Sequence, residues 1–286
     1  MQARQSSQLT PLPRVPALDP AATRLICTLL RSLEEASPRD MLDLALEEEL
    51  DELDPLRHLR EDDSDEDGAA HLVPVQPPSI RNQTVELIFH AVTDTIPAPI
   101  TIKLSVDASP GCGGIAWPAG EVLGSYIARK GSESLRGKNV LELGSGTGLV
   151  GLVAGALGAH VWITDQAPLL GIMKQNVSLN HLASHVTVAE LNWGEPIPAD
   201  IPRPDLILAA DCVYFEPAFP LLVQTLVDLV SDRSTEVLFC YKKRRKADKR
   251  FFAFLKKEFT WEEVADDPER EVYSREAITL LHLYRK

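Results

Sequence analysis

The sequence predicts an α/β fold in which a mostly parallel sheet of seven strands carries helices on its faces and ends in an antiparallel strand pair. From residue 139 onward, short and almost unbroken apolar segments alternate with longer segments of helical character. Such apolar segments are typical of parallel strands that are buried on both faces. Glycines follow the first of them directly, and the last two lie close together with no predicted helix between them. Five strand–helix units and the terminal pair make seven strands.

Each element of this domain follows from its local pattern. The segment VLEL forms the first strand, and LVGLVAGAL forms a helix directly after the glycines. Pro168 stands in the first turn of the second helix, where its missing N–H is tolerated. The predicted strands are 140–143, 160–165, 186–191, 205–211, 236–241, 260–267 and 277–284, and the predicted helices are 149–157, 168–180, 217–230 and 251–259.

The residues before this pattern divide into a hairpin and an N-terminal extension. Segments 85–89 and 100–106 alternate or run apolar as strands do, and they predict a hairpin that leads into the main domain. Leucines at near-helical spacing predict one or two amphipathic helices within 21–59, and the acidic segment 61–68 is best interpreted as a linker. We therefore divide the chain into an extension, 1–80, and a main domain, 81–286.

Composition and charge limit the class of protein. Of the net charge of −13, residues 1–70 carry −10, from 17 acidic and 7 basic side chains. The main domain is therefore nearly neutral and gives no support to nucleic-acid binding, which needs a basic face. No apolar stretch is long enough to span a membrane, and the start of the chain lacks the pattern of a secretory signal.

The cysteines indicate the compartment. All four are scattered in the sequence and form no C-x-x-C pair, which argues against a zinc site or a disulfide framework and favours a reducing compartment. His90, His160, His181 and His185 show no ligand spacing, so we assign no metal. We expect a cytoplasmic monomer. The basic segment 242–246 leaves a nuclear location open, although we favour a solvated loop and helix start over a nuclear signal, and a contact with an acidic surface on the substrate protein is a third alternative.

A glycine-rich turn after the first strand is the strongest functional signal. Its sequence LELGSGTG places Gly144, Gly146 and Gly148 between a strand and a helix. Such a turn lets the backbone approach a ligand and points a helix N-terminus at its negative charge. The ligand group is a pyrophosphate in dinucleotide enzymes and the amino-acid end of S-adenosylmethionine in methyltransferases. A literal G-x-G-x-x-G begins at Gly146, but we favour the three earlier glycines, and the missing G-K-[ST] excludes a P-loop.

An acidic residue ends the second strand. Asp165 lies 21 residues after Gly144. A carboxylate at this position can accept hydrogen bonds from both hydroxyls of a ribose. The alternative is a helix N-cap, a role for which Asp is also favoured. Ribose binding alone does not distinguish S-adenosylmethionine from NAD.

Five motifs then give the sequence a resemblance to a known family. In order they are WPA at 117–119, ELGSGTG at 142–148, ITD at 163–165, LNWG at 191–194 and DCVY at 211–214. From about Gly114 to Lys286 the chain resembles the family-16 methyltransferases, eukaryotic seven-strand enzymes with a D-x-x-Y signature. The resemblance implies a Rossmann-like fold and protein-lysine N-methylation with S-adenosyl-L-methionine as cofactor. It also implies that the following residues contact that cofactor: Trp117, Gly144, Ser145, Gly146, Asp165, Trp193 and Ala210.

The D-x-x-Y motif supplies the candidates for the substrate end. Asp211 and Tyr214 follow the fourth strand, and the carboxyl ends of strands are where ligands bind in open α/β sheets. Three residues apart, a carboxylate and a phenol can lie together near the transferring methyl group. We expect Asp211 to orient the incoming amine and Tyr214 to hydrogen-bond its nitrogen. The alternative is an N-cap aspartate and a packing tyrosine.

Substrate and rival functions stay open at this stage. The overall appearance is nearest to fungal enzymes that act on translation elongation factor 1-alpha, while other family members modify chaperones and further abundant proteins. A small-molecule methyltransferase is one rival. An NAD-dependent oxidoreductase is a second, but it needs another mononucleotide-binding half where the terminal strand pair is predicted. A binding module that holds the cofactor without transfer is the third.

Overall fold

A computed structural model describes residues 83–90, 99–108, 112–244 and 248–286. Within these ranges no helix is long and apolar enough to cross a membrane. The predictions for the leucine-rich and acidic segments of the extension lie outside the described residues. The boundary at residue 80 therefore stays a prediction.

The described chain contains nine strands and seven α-helices. In chain order they are β1 Gln83–Phe89, β2 Ile100–Val106, α1 Pro118–Lys130, α2 Ser132–Leu135, β3 Asn139–Leu143, α3 Leu149–Ala156, β4 His160–Asp165, α4 Leu170–Leu179, β5 Val186–Glu190, β6 Leu206–Ala210, α5 Phe219–Leu229, β7 Glu236–Lys242, α6 Asp248–Glu258, β8 Phe259–Glu263, α7 Arg270–Arg275 and β9 Ile278–Arg285. Short 3-10 turns precede α1, α4 and α5.

Seven strands form the main sheet, in the order β5-β4-β3-β6-β7-β9-β8. The neighbours from β5 to β7 are parallel, whereas β9 runs antiparallel to both β7 and β8. The terminal pair thus stands where a dinucleotide enzyme would continue its parallel sheet, as the prediction required. The strands that follow β3 in the chain, β4 and β5, lie on one side of it, and the next strand, β6, lies on its other side. At such a reversal of strand order the carboxyl ends of the two central strands, here β3 and β6, frame a crevice. Strands β1 and β2 form a separate antiparallel pair, which confirms the predicted hairpin.

Side chains from alternate positions of the strands enter two hydrophobic clusters. In β6, Leu208 belongs to one cluster, while Ile207 and Ala209 belong to the other. Successive side chains of a strand point to opposite faces, so the apolar strand segments bury both faces of the sheet. These two clusters hold the carboxyl ends of the strands, and hence the glycine turn, in fixed positions.

Two predictions about the connections were wrong. A short helix, α7, lies between β8 and β9, where the sequence predicted none. In the segment 191–205, which the structure describes throughout, no α-helix joins β5 to β6, so the count of five strand–helix units was wrong, although the predicted helices correctly included none there. The prolines at 196, 198, 202 and 204 explain this, because each removes a backbone N–H and restricts the residue before it.

Candidate active site

A cavity of about 670 Å³ opens at the carboxyl ends of the parallel strands. All nine predicted site residues line it, although they come from five separate segments of the chain. They are Trp117, Gly144, Ser145, Gly146, Asp165, Trp193, Ala210, Asp211 and Tyr214. The fold therefore brings these nine residues together at one cavity.

The glycine turn at the base of the cavity requires glycine for two reasons. Gly144, Gly146 and Gly148 have φ angles of 59°, 55° and 82°, in the left-handed region that other residues avoid. A Cβ on Gly146 would also lie 2.5 Å from the carbonyl oxygen of Gly113. Gly151 has no positive φ and instead allows α3 to pack against Ile163 of β4. These observations favour the three earlier glycines over the literal G-x-G-x-x-G as the binding turn.

Asp165 is tied to the glycine turn by hydrogen bonds. The backbone N–H of Gly146 donates to Oδ2 at 2.8 Å, and that of Gln166 donates to Oδ1 at 2.7 Å. Burial raises the pKa of the Asp165 carboxyl, and these two N–H donors act in the opposite direction. The N-cap residues of the following helical segments are Gln166 and Leu169, so the structure does not support the N-cap alternative.

Ser145 fastens the same turn to β4. Its hydroxyl accepts the N–H of Thr164 at 2.9 Å and donates to the carbonyl oxygen of Glu142 at 3.2 Å. The backbone N–H of Ser145 donates to the carbonyl of Thr164 at 2.9 Å. These three hydrogen bonds attach the turn to the ends of β3 and β4.

Two tryptophans and a small residue complete the predicted cofactor wall. A Cβ on Gly144 would meet Cζ2 of Trp193 at 2.8 Å, so this indole packs directly over the glycine turn. Trp117 is the N-cap of α1, and its ring lies 5.6 Å from the guanidinium carbon of Arg244. Ala210 is the last residue of β6 and is half-buried at the cavity.

Asp211 is held in a strained backbone conformation by a buried ion pair. Its φ angle is 58°, which is uncommon for a residue with a Cβ and typical of functional sites. Both carboxylate oxygens accept a guanidinium N–H of Arg244, each at 2.7 Å, and each side chain is only 4% exposed. Asp211 is not an N-cap, because the caps of the next helical segments are Phe215 and Ala218.

Tyr214 lies half-buried on the same side of the cavity. The neighbouring Phe215 also lines the cavity and is 41% exposed. An exposed aromatic ring at a cavity entrance offers apolar contact to the hydrocarbon part of a substrate side chain. The sequence identified the tyrosine by its motif, whereas nothing in the motif indicated Phe215.

Two further residues that line the cavity, Glu142 and Arg244, were not singled out from the sequence. Glu142 lines the cavity, is 2% exposed and accepts the N–H of Gly151 at 3.0 Å. Desolvation raises the pKa of Glu142 to about 8. Its signal in the sequence was a single carboxyl group within an apolar strand. Arg244 was seen only as a member of a basic segment, although it follows β7, the neighbour of the strand that ends at Asp211.

The seven-strand sheet with its terminal antiparallel pair, and the glycine turn and Asp165 at the cavity, are typical of methyltransferases of the seven-strand class. Residues 98–258, more than half of the chain, match the family described as lysine methyltransferase. The chain belongs to this family, which confirms the resemblance found in the motifs. It is an S-adenosyl-L-methionine-dependent protein-lysine N-methyltransferase.

Two sequence relatives agree with this assignment. The chain is 45% identical over 202 residues to the yeast protein-lysine N-methyltransferase EFM6, covering 62% of this chain and 82% of the relative. It is 41% identical over 167 residues to the mouse protein N-lysine methyltransferase METTL21A, covering 57% of this chain and 76% of the relative. Among solved structures, a T. thermophilus 16S ribosomal RNA methyltransferase in complex with S-adenosylmethionine and guanosine has 16% identity and a TM-score of 0.48, over 73% of this chain and 52% of that one.

Proposed function

We propose that this cavity methylates lysine on translation elongation factor 1-alpha. The observation that carries the proposal is the meeting of the glycine turn, Asp165 and the Asp211–Tyr214 motif at one cavity. The resemblance to fungal enzymes that act on this factor supports the choice of substrate. We also propose that the protein acts as a monomer in the cytoplasm, which agrees with the free, buried thiols of Cys212 and Cys240.

The residues around the glycine turn fit the cofactor. Each oxygen of Asp165 accepts one backbone N–H and has capacity for another donor, so the pair can take both hydroxyls of a ribose. The N-terminus of α3 favours the carboxylate of the cofactor's amino-acid end. Trp193 over the turn offers an aromatic face to the adenine. When bound, S-adenosyl-L-methionine supplies a methyl group on a positively charged sulfonium sulfur.

The substrate end must receive a neutral amine. A lysine with its ordinary pKa of about 10.4 costs roughly 4–5 kcal/mol to deprotonate at pH 7. Methyl transfer is an in-line displacement, so alignment of the amine matters more than a covalent intermediate. Asp211 and Tyr214 supply a carboxylate oxygen and a phenol at the cavity, and both can hydrogen-bond the nitrogen and hold it in line.

Transfer of radiolabelled methyl groups into the proteins of a cell lysate tests the proposal. We expect the wild-type chain to label a band that maps to lysine by mass spectrometry and to label purified elongation factor 1-alpha at the same residue. Asp211→Ala should lose at least 90% of this labelling, since one of the two groups that align the amine is removed.

The matched control is Asp200→Ala, which removes an exposed carboxylate away from the cavity and should label as the wild type does. If calorimetry shows S-adenosylhomocysteine binding but the wild-type chain labels no protein, protein methylation by this cavity is refuted. Labelling of a different protein refutes only the choice of elongation factor 1-alpha.

A further inference from the structure

The ion pair between Arg244 and Asp211 occupies the substrate end of the cavity. The guanidinium contacts the carboxylate in a two-pronged geometry, with both N–O distances at 2.7 Å. Oδ1 also accepts the backbone N–H of Lys242 at 3.3 Å, so Oδ2 keeps capacity for one more donor. The guanidinium of Arg244 also lies over the ring of Trp117. Asp211 thus meets the substrate with its position fixed and its charge balanced.

The balance of charge decides which form of the amine the cavity favours. An isolated carboxylate in a buried site stabilises an ammonium and raises the pKa of the amine, by 1–3 units when the charges are within about 4–6 Å. That effect opposes the reaction, because only the neutral amine has a free electron pair. A positive charge beside the carboxylate cancels the effect while leaving an oxygen available as an acceptor.

We propose that Arg244 is a positioning residue for the methyl transfer, which fixes Asp211 and cancels its charge so that the cavity receives the substrate lysine as a neutral amine. This inference rests on the lysine methylation proposed above. In the reaction the ammonium first loses one proton to water. The nitrogen electron pair then forms the bond to the methyl carbon as the carbon–sulfur bond breaks, and the sulfur keeps that bond's electrons. The product is a methylammonium and a neutral thioether.

Other titratable groups face the pair from each neighbouring element. Asp248 at the start of α6 accepts the backbone N–H of Arg244 at 3.0 Å, and Lys242 precedes it on β7. Among the described residues, the other titratable groups that line the cavity or lie near Asp211 are the thiols of Cys212 and Cys240, the phenol of Tyr214, and the carboxyls of Glu142, Asp165 and Glu195. The pKa values of both thiols are raised well above their ordinary value by burial, so they stay neutral throughout the range of the test.

The dependence of kcat on pH tests the proposal, because kcat reports the ionisations of the enzyme–substrate complex. The substrate is the protein that the wild-type chain labels. In Arg244→Met the acidic limb of the profile should move up by about 1 pH unit, at the lower end of the range for a charge at this distance. At pH 7 kcat then falls roughly tenfold through this shift, and above the limb it reaches a plateau that stays a few-fold below the wild-type value, because Asp211 has also lost the contact that fixes it.

Two further experiments separate the effect of the charge of Arg244 from its effect on the position of Asp211. Arg244→Lys keeps the positive charge but cannot bind the carboxylate with two parallel N–H groups, so its limb should stay in place while its kcat falls at every pH. A substrate whose target lysine is replaced by aminoethylated cysteine has a lower amine pKa, because its sulfur withdraws electrons. This substrate should restore most of the activity of Arg244→Met at pH 7.

The control variant is Arg250→Met, which makes the same change in an arginine that pairs with Glu216 outside the cavity. Its limb should match the wild type, and calorimetry with S-adenosylhomocysteine verifies that each variant keeps a folded cavity. An unmoved limb in Arg244→Met with kcat lowered at all pH values, or an equal shift in Arg250→Met, would overturn the proposal. If the proposed substrate is wrong, the labelling experiment with the wild-type chain shows it. The role of Arg244 is tested separately, by comparing the pH profiles of the variants on whichever protein the wild-type chain labels.

Discussion

Substitution of Gly146 by alanine isolates what the glycine turn contributes to cofactor binding. The backbone of Gly146 lies in the left-handed region, and its N–H donates to Asp165. A Cβ at this position would approach the carbonyl oxygen of Gly113 to 2.5 Å, and neither partner is the flexible end of a side chain. Either the turn or the segment at Gly113 must therefore move, and both border the cavity.

The size of the effect follows from two contributions. A left-handed conformation costs a residue with a Cβ about 1–2 kcal/mol, of which the smaller entropy of the unfolded chain offsets about 0.4–1 kcal/mol. Gly137 has a φ of 72° and open space around it, so Gly137→Ala should show this net cost alone, about 1 kcal/mol. The backbone clash adds to it in Gly146→Ala, and we expect a total of about 2–4 kcal/mol.

The assay combines chemical denaturation with calorimetry of S-adenosylhomocysteine binding. Gly146→Ala should lose at least tenfold in affinity, while Gly137→Ala keeps the wild-type affinity. Gly171→Ala lies in α4 with open space and no left-handed φ, and it should stabilise the protein by roughly 0.5 kcal/mol. If Gly146→Ala has the same free energy of unfolding as Gly137→Ala and binds S-adenosylhomocysteine with unchanged affinity, the close approach to Gly113 does not affect cofactor binding and the reasoning fails.

Three further predictions address the acids and the extension. Asp165→Asn should weaken S-adenosylhomocysteine binding by roughly 10–100-fold in calorimetry, since one oxygen that accepts an N–H or a hydroxyl becomes a donor; unchanged affinity would exclude the ribose role. The raised pKa of Glu142, about 8, means that the folded state holds a proton which the unfolded state releases near pH 4.5. Stability should therefore fall by roughly 3–5 kcal/mol as the pH rises from 5 to 8, and Glu142→Gln should flatten this decline in denaturation curves; equal slopes would contradict it. Deletion of residues 1–70 should leave the affinity unchanged, because every cavity residue that the structure describes lies at or beyond Gly113; lost binding by a folded truncation would disprove this.

Much of the fold could be predicted because local pattern and global arrangement agree. The strands of the main sheet are short apolar segments bounded by glycine, proline or charge, and the glycine turn marks the first parallel strand without ambiguity. The connections were harder, since α7 has only six residues and its stability comes from packing rather than from sequence period. The four prolines before β6 agree with the absence of a predicted helix there, and only the count of five strand–helix units overlooked them.

The grouping of the glycine turn with Asp165 was predictable, whereas the contacts of Asp211 were not. Gly144, Gly146 and Asp165 lie within 21 residues, so a motif can include them all. The partners Asp211 and Arg244 are 33 residues apart, and they meet only because β6 and β7 are neighbours in the sheet. Sequence shows a carboxylate and a basic segment, but which cation reaches the carboxylate depends on register and backbone strain.

The distribution of charge around the cavity explains how one site can serve two positively charged reactants. A sulfonium and an ammonium repel each other, and repulsion at a few ångströms favours release of the amine's proton. Among the residues that the structure describes, Asp165 has hydrogen bonds only from backbone N–H groups, so its negative character remains available where hydroxyls are to be held. Asp211 is balanced by Arg244, and Glu142, with a pKa of about 8, is mostly neutral at pH 7. Attraction for cations is thus weakest at the end where the nitrogen must react, because a stronger attraction there would hold the lysine in its unreactive form.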